Sequence, residues 1–438
     1  LWSIRTLVWT ALKGLLRPEH TYAVYKKRVD AWEAEMAHID YELPLAEFRA
    51  RYMKRFMPLF LGVTLPAILT FMIGGLMAVD RVFKKAPDDV KKESRKLQRG
   101  FTNNVVVEMG IKLYRLAKLL ERSDFDDLDE LKARIEDRRM HMEFLDAWDA
   151  FMDQYGYRGP LEMDLASPRY GDDPTLVLRQ MSYMSVDDSS FDPEVAHEFN
   201  IAERRRAYEV LMSSAGWLRR RKLRRLNRII ELFAGTRDNP KHHLVMVNHA
   251  TRKRVLIEAV KLVESGRLDA AEHVFDLTFD DLEMADADPS LDLRQVREER
   301  TRFLKVLKDQ VRQFPQVIDS RGRILRPPPR QEKPGEMSGM AVSPGVVSGP
   351  VKVMHDPHEK PVEKGDVLVA YTTDPGWTPL FANASAVLLE VGGILQHGAV
   401  VAREYGKPCV AGIDGLMTRL EDGQMVEVDG TAGVVRTL

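Results

Sequence analysis

Residues 386–409 decide the architecture: Ala386-Val387-Leu388-Leu389-Glu390-Val391-Gly392-Gly393-Ile394-Leu395-Gln396-His397-Gly398-Ala399-Val400-Val401-Ala402-Arg403-Glu404-Tyr405-Gly406-Lys407-Pro408-Cys409. The opening apolar run predicts a buried strand, Gly392-Gly393 a turn, and the residues after His397 a short apolar helix. Where a strand turns into a helix start, unpaired N–H groups and the positive end of the helix dipole converge. An imidazole at that spot can attack phosphorus and keep the phosphoryl group, whose charge the backbone dipoles offset. His397 is therefore a candidate covalent nucleophile, although an isolated histidine is more often a core side chain bonded to backbone. Arg403 and Glu404 have two readings: a solvated helix pair, or, for Arg403, a planar fork able to reach a phosphoryl oxygen.

Outward from this stretch the grammar stays short and β-rich. Runs at Val351–Met354, Asp366–Ala370, Met425–Val428 and Val434–Arg436 alternate with Gly and Pro turns. Tyr371-Thr372-Thr373-Asp374-Pro375-Gly376-Trp377-Thr378-Pro379 lies between a strand and a helix, with good turn chemistry in Asp374-Pro375-Gly376. The segment is expected to be fold-defining, with Thr373 or Thr378 near a phosphoryl group on His397. Upstream, residues 326–337 are Pro-rich and charged, the composition of a semi-extended hinge linker. Before the linker, amphipathic helical segments recur at Thr21–Ile39, Val105–Leu120, Leu128–Tyr155, Asp192–Phe233, Asn248–Glu264 and Leu293–Phe314. Starts are expected at Asp126, Asp192-Pro193 and Ser290, and a stop at Gly266. The expected organisation is multidomain: a mainly α-helical domain over 1–325, the linker 326–337, and a small α/β domain over 338–438.

The 438 residues suit two or three domains. A formal net charge of -1 argues against a globally nucleic-acid-binding protein. The basic run Arg219 to Arg228 reads as a solvated helix face, with Leu218, Leu223, Leu226, Ile229 and Ile230 as its buried side. The single cysteine, Cys409, excludes an intrachain disulfide and fits a reducing cytoplasm. It lacks the clustered ligands of a zinc site, so no metal ligands are assigned in the chain. The sequence begins without methionine, inside an apolar and basic pattern, and reads as part of a longer product.

Met57 to Val79 is almost uninterruptedly apolar and reaches the ~20 residues a membrane span needs. Pro58, Pro66 and Gly74-Gly75 are expected to break a regular span. A buried helix, or the wall of an apolar ligand pocket, gives the same pattern, and no membrane partner is expected.

The stretch around His397 resembles the phosphohistidine swivelling domain of the PEP-utilising enzymes, among them rifampicin phosphotransferase, phosphoenolpyruvate synthase and pyruvate phosphate dikinase. Gly392, Gly393, His397, Ala399, Ala402, Arg403, Glu404, Gly406 and Pro408 match the signature, whereas Gln396 stands where Ser or Cys is usual. The resemblance implies that His397 carries the phosphoryl group, supported by Gly392, Gly393, Gln396, Arg403 and Thr373.

The helical part resembles the acceptor-binding domain of rifampicin phosphotransferases. The similarity lies in Asn103-Asn104-Val105-Val106-Val107-Glu108 and in Tyr155-Gly156-Tyr157-Arg158-Gly159-Pro160-Leu161-Glu162. Tyr157 replaces a histidine and Leu161 a glycine of the family motif. The resemblance implies acceptor-binding roles for Asn104, Glu108, Arg158 and Glu162. Read from the residues alone, Arg158 to Glu162 is equally a salt-bridged structural turn, and Asn103-Asn104 equally helix caps. No Gly-rich phosphate loop leads into Lys-Ser/Thr, so ATP and Mg2+, which the family uses, are expected to act through an absent or separate ATP-grasp domain or subunit. The function so implied is part of an ATP-dependent dikinase-type phosphotransferase. It would carry phosphoryl on His397 to a small, apolar acceptor in the cytoplasm. The alternative is a non-catalytic phosphocarrier or regulatory module that partners an ATP-grasp subunit.

Overall fold

The computed structural model describes residues 2–187, 192–310, 318–324, 332–357, 359–393 and 396–438. A helical body is followed by a small α/β domain built on a mixed sheet. The first half of the expected linker, 326–331, lies outside the described residues. The last two linker positions, Glu336 and Met337, belong to strand β1 (Glu336–Ser338) of the sheet.

In the helical body the longest element is Leu45–Phe83, a continuous helix of 39 residues. The prolines and glycines expected to break it do not. Instead the helix passes through π turns at Arg49–Met53, Phe60–Thr64 and Met72–Leu76. A π turn relaxes the i→i−4 ladder locally, which accommodates Pro58, Pro66 and Gly74-Gly75 without ending the helix. Phe48, Tyr52, Phe56, Val63 and Phe71 turn inward to a core shared with Trp32, Ile230 and Phe233. Among the described residues this is the one helix long and apolar enough to cross a membrane, and 44% of its apolar window is buried in the protein.

Other ends follow local chemistry. Asp192 caps Pro193–Ser214 through the N–H groups of Glu194 and Val195, as its sequence position predicts. The segment Leu128–Tyr155 is two helices, Leu128–Glu136 and Met142–Tyr155, separated where Arg138 adopts a φ of 59°. Likewise Asp192–Phe233 divides at Gly216, where Trp217–Phe233 begins. In that second helix Leu223, Ile229 and Ile230 are buried as expected, but Leu218 is 58% exposed and does not join the buried face. The helix Asn239–Glu264 starts nine residues before the sequence pattern does, because His242, Asn248 and other polar side chains interrupt its buried face.

The C-terminal sheet has the order β1-β8-β7-β3-β4-β5-β6-β2. Strand β2 is Met340–Ser343, β3 Val346–Met354, β4 Val367–Ala370, β5 Ala386–Leu389, β6 Cys409–Ala411, β7 Met425–Asp429 and β8 Val434–Thr437. The long β3 joins two regimes: its first half pairs antiparallel with β7 and its second half pairs parallel with β4. β4, β5 and β6 continue in parallel. Parallel strands buried on both faces read as unbroken apolar runs, and Val367–Ala370 and Ala386–Leu389 are buried throughout. The helix His397–Glu404 covers one face with Ala399, Val401 and Ala402, packed with Phe381 and Trp377. Val426, Val428, Leu416 and Leu420 fill the other.

Candidate active site

Because β4 and β5 are adjacent and parallel, the segments that leave their carboxyl ends emerge at one edge of the sheet. The first carries Thr373 and Asp374; the second leads through Gly392-Gly393 to His397. His397 opens the helix His397–Glu404, with Gln396 as its N-cap in an extended conformation and without a side-chain capping bond. The Gln396 N–H donates to the Gly393 carbonyl (3.0 Å), which closes the turn that the glycine pair begins. Gly392 is tight against Ala411 of β6, leaving no room for a Cβ.

Beside the imidazole, the Thr378 hydroxyl lies 3.4 Å from Nε2 of His397. Thr373 is buried, and its hydroxyl finds no hydrogen-bond partner among the described residues. That hydroxyl points at the backbone of Gly398, where a Cβ would collide with it. An orphaned hydroxyl at the first turn of this helix is a donor available to an anion on His397. Arg403 is six residues further along the same helix, about 9 Å of rise. It lines, with Arg237, Asn104 and Phe101, a small cavity of about 10 Å³ between the two domains.

The helical body meets this edge with charge. Arg158 is 2% exposed, and its Nε lies 2.5 Å from Oε1 of the equally buried Glu162. Lys241 reaches the other Glu162 oxygen at 3.2 Å. Burial is the largest single influence and works against the Arg158 charge, but Glu162, Tyr157, Tyr170 and Asp374 together outweigh it and the guanidinium pKa is raised. Asn104 is the helix cap that the sequence allowed. Its side-chain oxygen caps Val105–Ala117 by accepting from Val106 and Val107, and its amide donates to Asp238 at 3.1 Å. Glu108 is exposed one turn later.

Arg237, Asp238 and Lys241 were not singled out in the sequence, yet with Arg158 they are the charged groups that act on His397. Burial above all pushes the His397 pKa down to about 3; Lys241, Arg237 and Arg158 add to this and Asp238 opposes it. The ring is therefore neutral at physiological pH, with a lone pair available for attack. The same cations can balance a phosphoryl group once it is attached. An Arg237 guanidinium nitrogen, Nη1, is buried without a partner among the described residues. The Asp238 carboxyl stays below its usual range although burial raises it, because Arg237, His397, Asn104 and Arg158 outweigh burial. A sequence signal for these residues did exist. Arg237 and Lys241 flank the start of Asn239–Glu264, whose first turn has no acidic side chain. Cations at the positive end of a helix dipole are unfavourable unless an anion is to be bound there.

The two domains are docked through polar contacts around this cluster. The Gly100 N–H donates to the Glu404 carboxylate (3.2 Å), and Asn200 donates to the Glu404 carbonyl. Gln180 donates to the Gly376 carbonyl at 3.1 Å, and the Ser185 N–H to Asn383 at 3.3 Å.

The site thus combines the edge of a parallel sheet, a neutral histidine at a helix start and facing cations, an arrangement suited to an anion beside the ring. Residues 362–433 match the family described as PEP-utilising enzyme, mobile domain, and the C-terminal domain is such a domain. Residues 63–238 match the rifampicin phosphotransferase fourth domain, which makes the chain a relative of the rifampicin phosphotransferases. A rifampicin phosphotransferase of Streptomyces sp is 33% identical over 357 residues, 77% of this chain and 40% of that protein. The Bacillus subtilis (strain 168) rifampicin phosphotransferase is 29% identical over 361 residues, again 77% and 40% of the two chains. A second protein of that strain, described as the uncharacterized phosphotransferase YvkC, is 28% identical over 70% of this chain and 38% of its own length. The chain thus spans about 40% of the length of the rifampicin phosphotransferases it matches.

Proposed function

We propose that this chain is the acceptor-binding and carrier part of an ATP-dependent, dikinase-type phosphotransferase of the rifampicin phosphotransferase kind. In this reading His397 receives the β-phosphoryl group of ATP at an ATP-grasp domain or subunit, where Mg2+ also acts. The small domain then returns to the docked position and delivers the group to a hydroxyl of a small, largely apolar acceptor in the cytoplasm. The observation that carries the reading is the docked His397, neutral at a helix N-terminus and faced by Arg237, Lys241 and Arg158.

The chemistry follows from these groups. Phosphoryl transfer passes through a loose transition state with charge spread over the phosphoryl oxygens, so catalysis is mainly positioning and charge stabilisation. The three cations, the first-turn N–H groups and the Thr373 hydroxyl supply both. Gln396 in the usual Ser or Cys position leaves the nucleophile itself unchanged.

The test is charging with labelled ATP by the ATP-grasp domain of a relative. The expected label is acid-labile, base-stable and absent from His397→Ala. Full labelling of His397→Ala refutes the assignment.

A further inference from the structure

The loop 156–173 is laid along one face of the helix Asn239–Glu264. Lys241 holds Glu162 at 3.2 Å, and Arg252 holds Asp172 at 3.0 Å and the Leu165 carbonyl at 2.6 Å. Between these two clamps the Tyr157 ring meets the rings of His242 and His249, with centroids 5.7 and 6.2 Å away. The Tyr157 hydroxyl lies 3.0 Å from Nδ1 and 3.2 Å from Nε2 of His242, so it can donate to whichever nitrogen is unprotonated. Tyr157 directly precedes Arg158, and His242 directly follows Lys241. The pair therefore adjoins two of the cations that act on His397. Those cations can stabilise a phosphoryl group but cannot accept the proton of an attacking hydroxyl.

We propose that Tyr157 and His242 form the proton relay for the acceptor hydroxyl, an inference that rests on the carrier reading above. The acceptor oxygen bonds to phosphorus as the N–P bond to His397 breaks, and the electron pair of that bond returns to the ring. The acceptor proton passes to the Tyr157 oxygen while the Tyr157 proton passes to His242. The imidazolium so formed releases its proton to solvent after the phosphate ester leaves. The relay suits an alcohol or phenol, whose proton must be removed, and not an acceptor that is already anionic.

The surroundings match a base. Burial, then Arg158 and His243, hold His242 well below the usual imidazole range, so it is unprotonated near pH 7. Burial above all raises Tyr157; Arg158 opposes this and Tyr155, Glu33 and Glu162 add to it, which keeps the side chain a neutral hydroxyl that passes a proton rather than a phenolate. A doubly charged phosphoryl group on His397 opposes the field of Arg158 and favours the imidazolium at the moment it must form.

The test charges the whole chain chemically with phosphoramidate, which needs no ATP-grasp domain, and follows phosphohistidine decay in water and with rifampicin added. Tyr157→Phe and His242→Gln should charge as fully as the wild type, and an unchanged melting temperature reports an intact fold. Both should discharge about 100-fold more slowly, the low end of general-base contributions. The double variant should be no slower than either single one, and the acid limb of the wild-type pH–rate profile should vanish in His242→Gln. Wild-type decay rates in both variants overturn the relay alone. A wild type that takes no phosphoryl group at His397 overturns the carrier reading and the relay with it.

Discussion

Thr373→Val separates stability from function in opposite directions. Thr373 is 8% exposed and its hydroxyl has no partner among the described residues. A buried hydroxyl left unpaired costs about 1–3 kcal/mol, and valine keeps the shape while removing it. The uncharged protein should therefore gain about 1 kcal/mol, roughly 4 °C in melting temperature for a domain of this size. Once His397 carries phosphate, the same hydroxyl can donate to an anion, a bond worth about 1.5–3 kcal/mol. Its loss should lower the charging equilibrium about 10- to 100-fold. Phosphoryl exchange between phosphoimidazole and His397, read by phosphorus NMR, measures that equilibrium directly, and Thr373→Ser should retain most of it. A lower melting temperature together with an unchanged exchange constant would show that the hydroxyl is structural and that the first turn of the helix is not the phosphoryl site.

Arg158→Ala should leave charging intact and slow discharge about 30- to 1000-fold, the equivalent of about 2–4 kcal/mol of transition-state stabilisation. It should also cost about 3 kcal/mol of stability, because buried Glu162 keeps only Lys241 at 3.2 Å. Arg158→Met with Glu162→Met should recover the stability, measured by urea melts, but not the discharge rate; recovery of both would make the pair structural. A further expectation concerns pH. His397 titrates near 3 in the fold and near 6.5 unfolded, so the unfolded chain binds the proton first. Its contribution is complete above about pH 6.5 and is lost as the pH falls toward 3, by about 2 kcal/mol between pH 6.5 and 5. His249, lowered to about 4 by burial, acts with the same sign. His397→Ala should thus remove part of the acid sensitivity, and identical melts of both proteins at pH 5 and 7 would contradict the burial of a neutral imidazole.

The carrier edge was legible in the sequence because its signals are local. An apolar strand, two glycines and a histidine before a small-residue helix lie within two dozen residues, and the fold realises them in that order. Asp192-Pro193 and Asn104 were equally readable, since a cap acts on N–H groups two or three positions away. The rest was hidden for identifiable reasons. Strands Met340–Ser343 and Cys409–Ala411 are four and three residues long, too short to show a period. Pro58 and Pro66 carried the wrong expectation, because π turns are a tertiary accommodation in a helix packed along its length. Arg237, Asp238 and Lys241 lie far along the chain from both Arg158 and His397, so the signal at their helix start could not be tied to either; the fold of the helical body sets Lys241 on Glu162, and docking brings His397 to them.

The character of that docking bears on how the carrier works. A carrier that shuttles must dock well enough to align His397 and still leave. An interface held by buried apolar area alone would be slow to release, whereas one rich in hydrogen bonds can exchange them for water at little net cost. The contacts here are of the second kind: Gly100 and Asn200 on Glu404, Gln180 on Gly376, and Ser185 on Asn383. The apolar contribution comes from Val106, buried in the core that surrounds the helix His397–Glu404, with Val105 and Tyr183 packed against it. Glu404 occupies the opposite end of that helix from His397, while Gly376 lies two residues before Thr378 at the imidazole, so docking contacts reach both ends of the helix. In the carrier role proposed above, phosphorylation would change the charge at the His397 end while the contacts on Glu404 stay in place. Alignment is then set by the polar latch, and the cations around His397 are left to respond to the phosphoryl group.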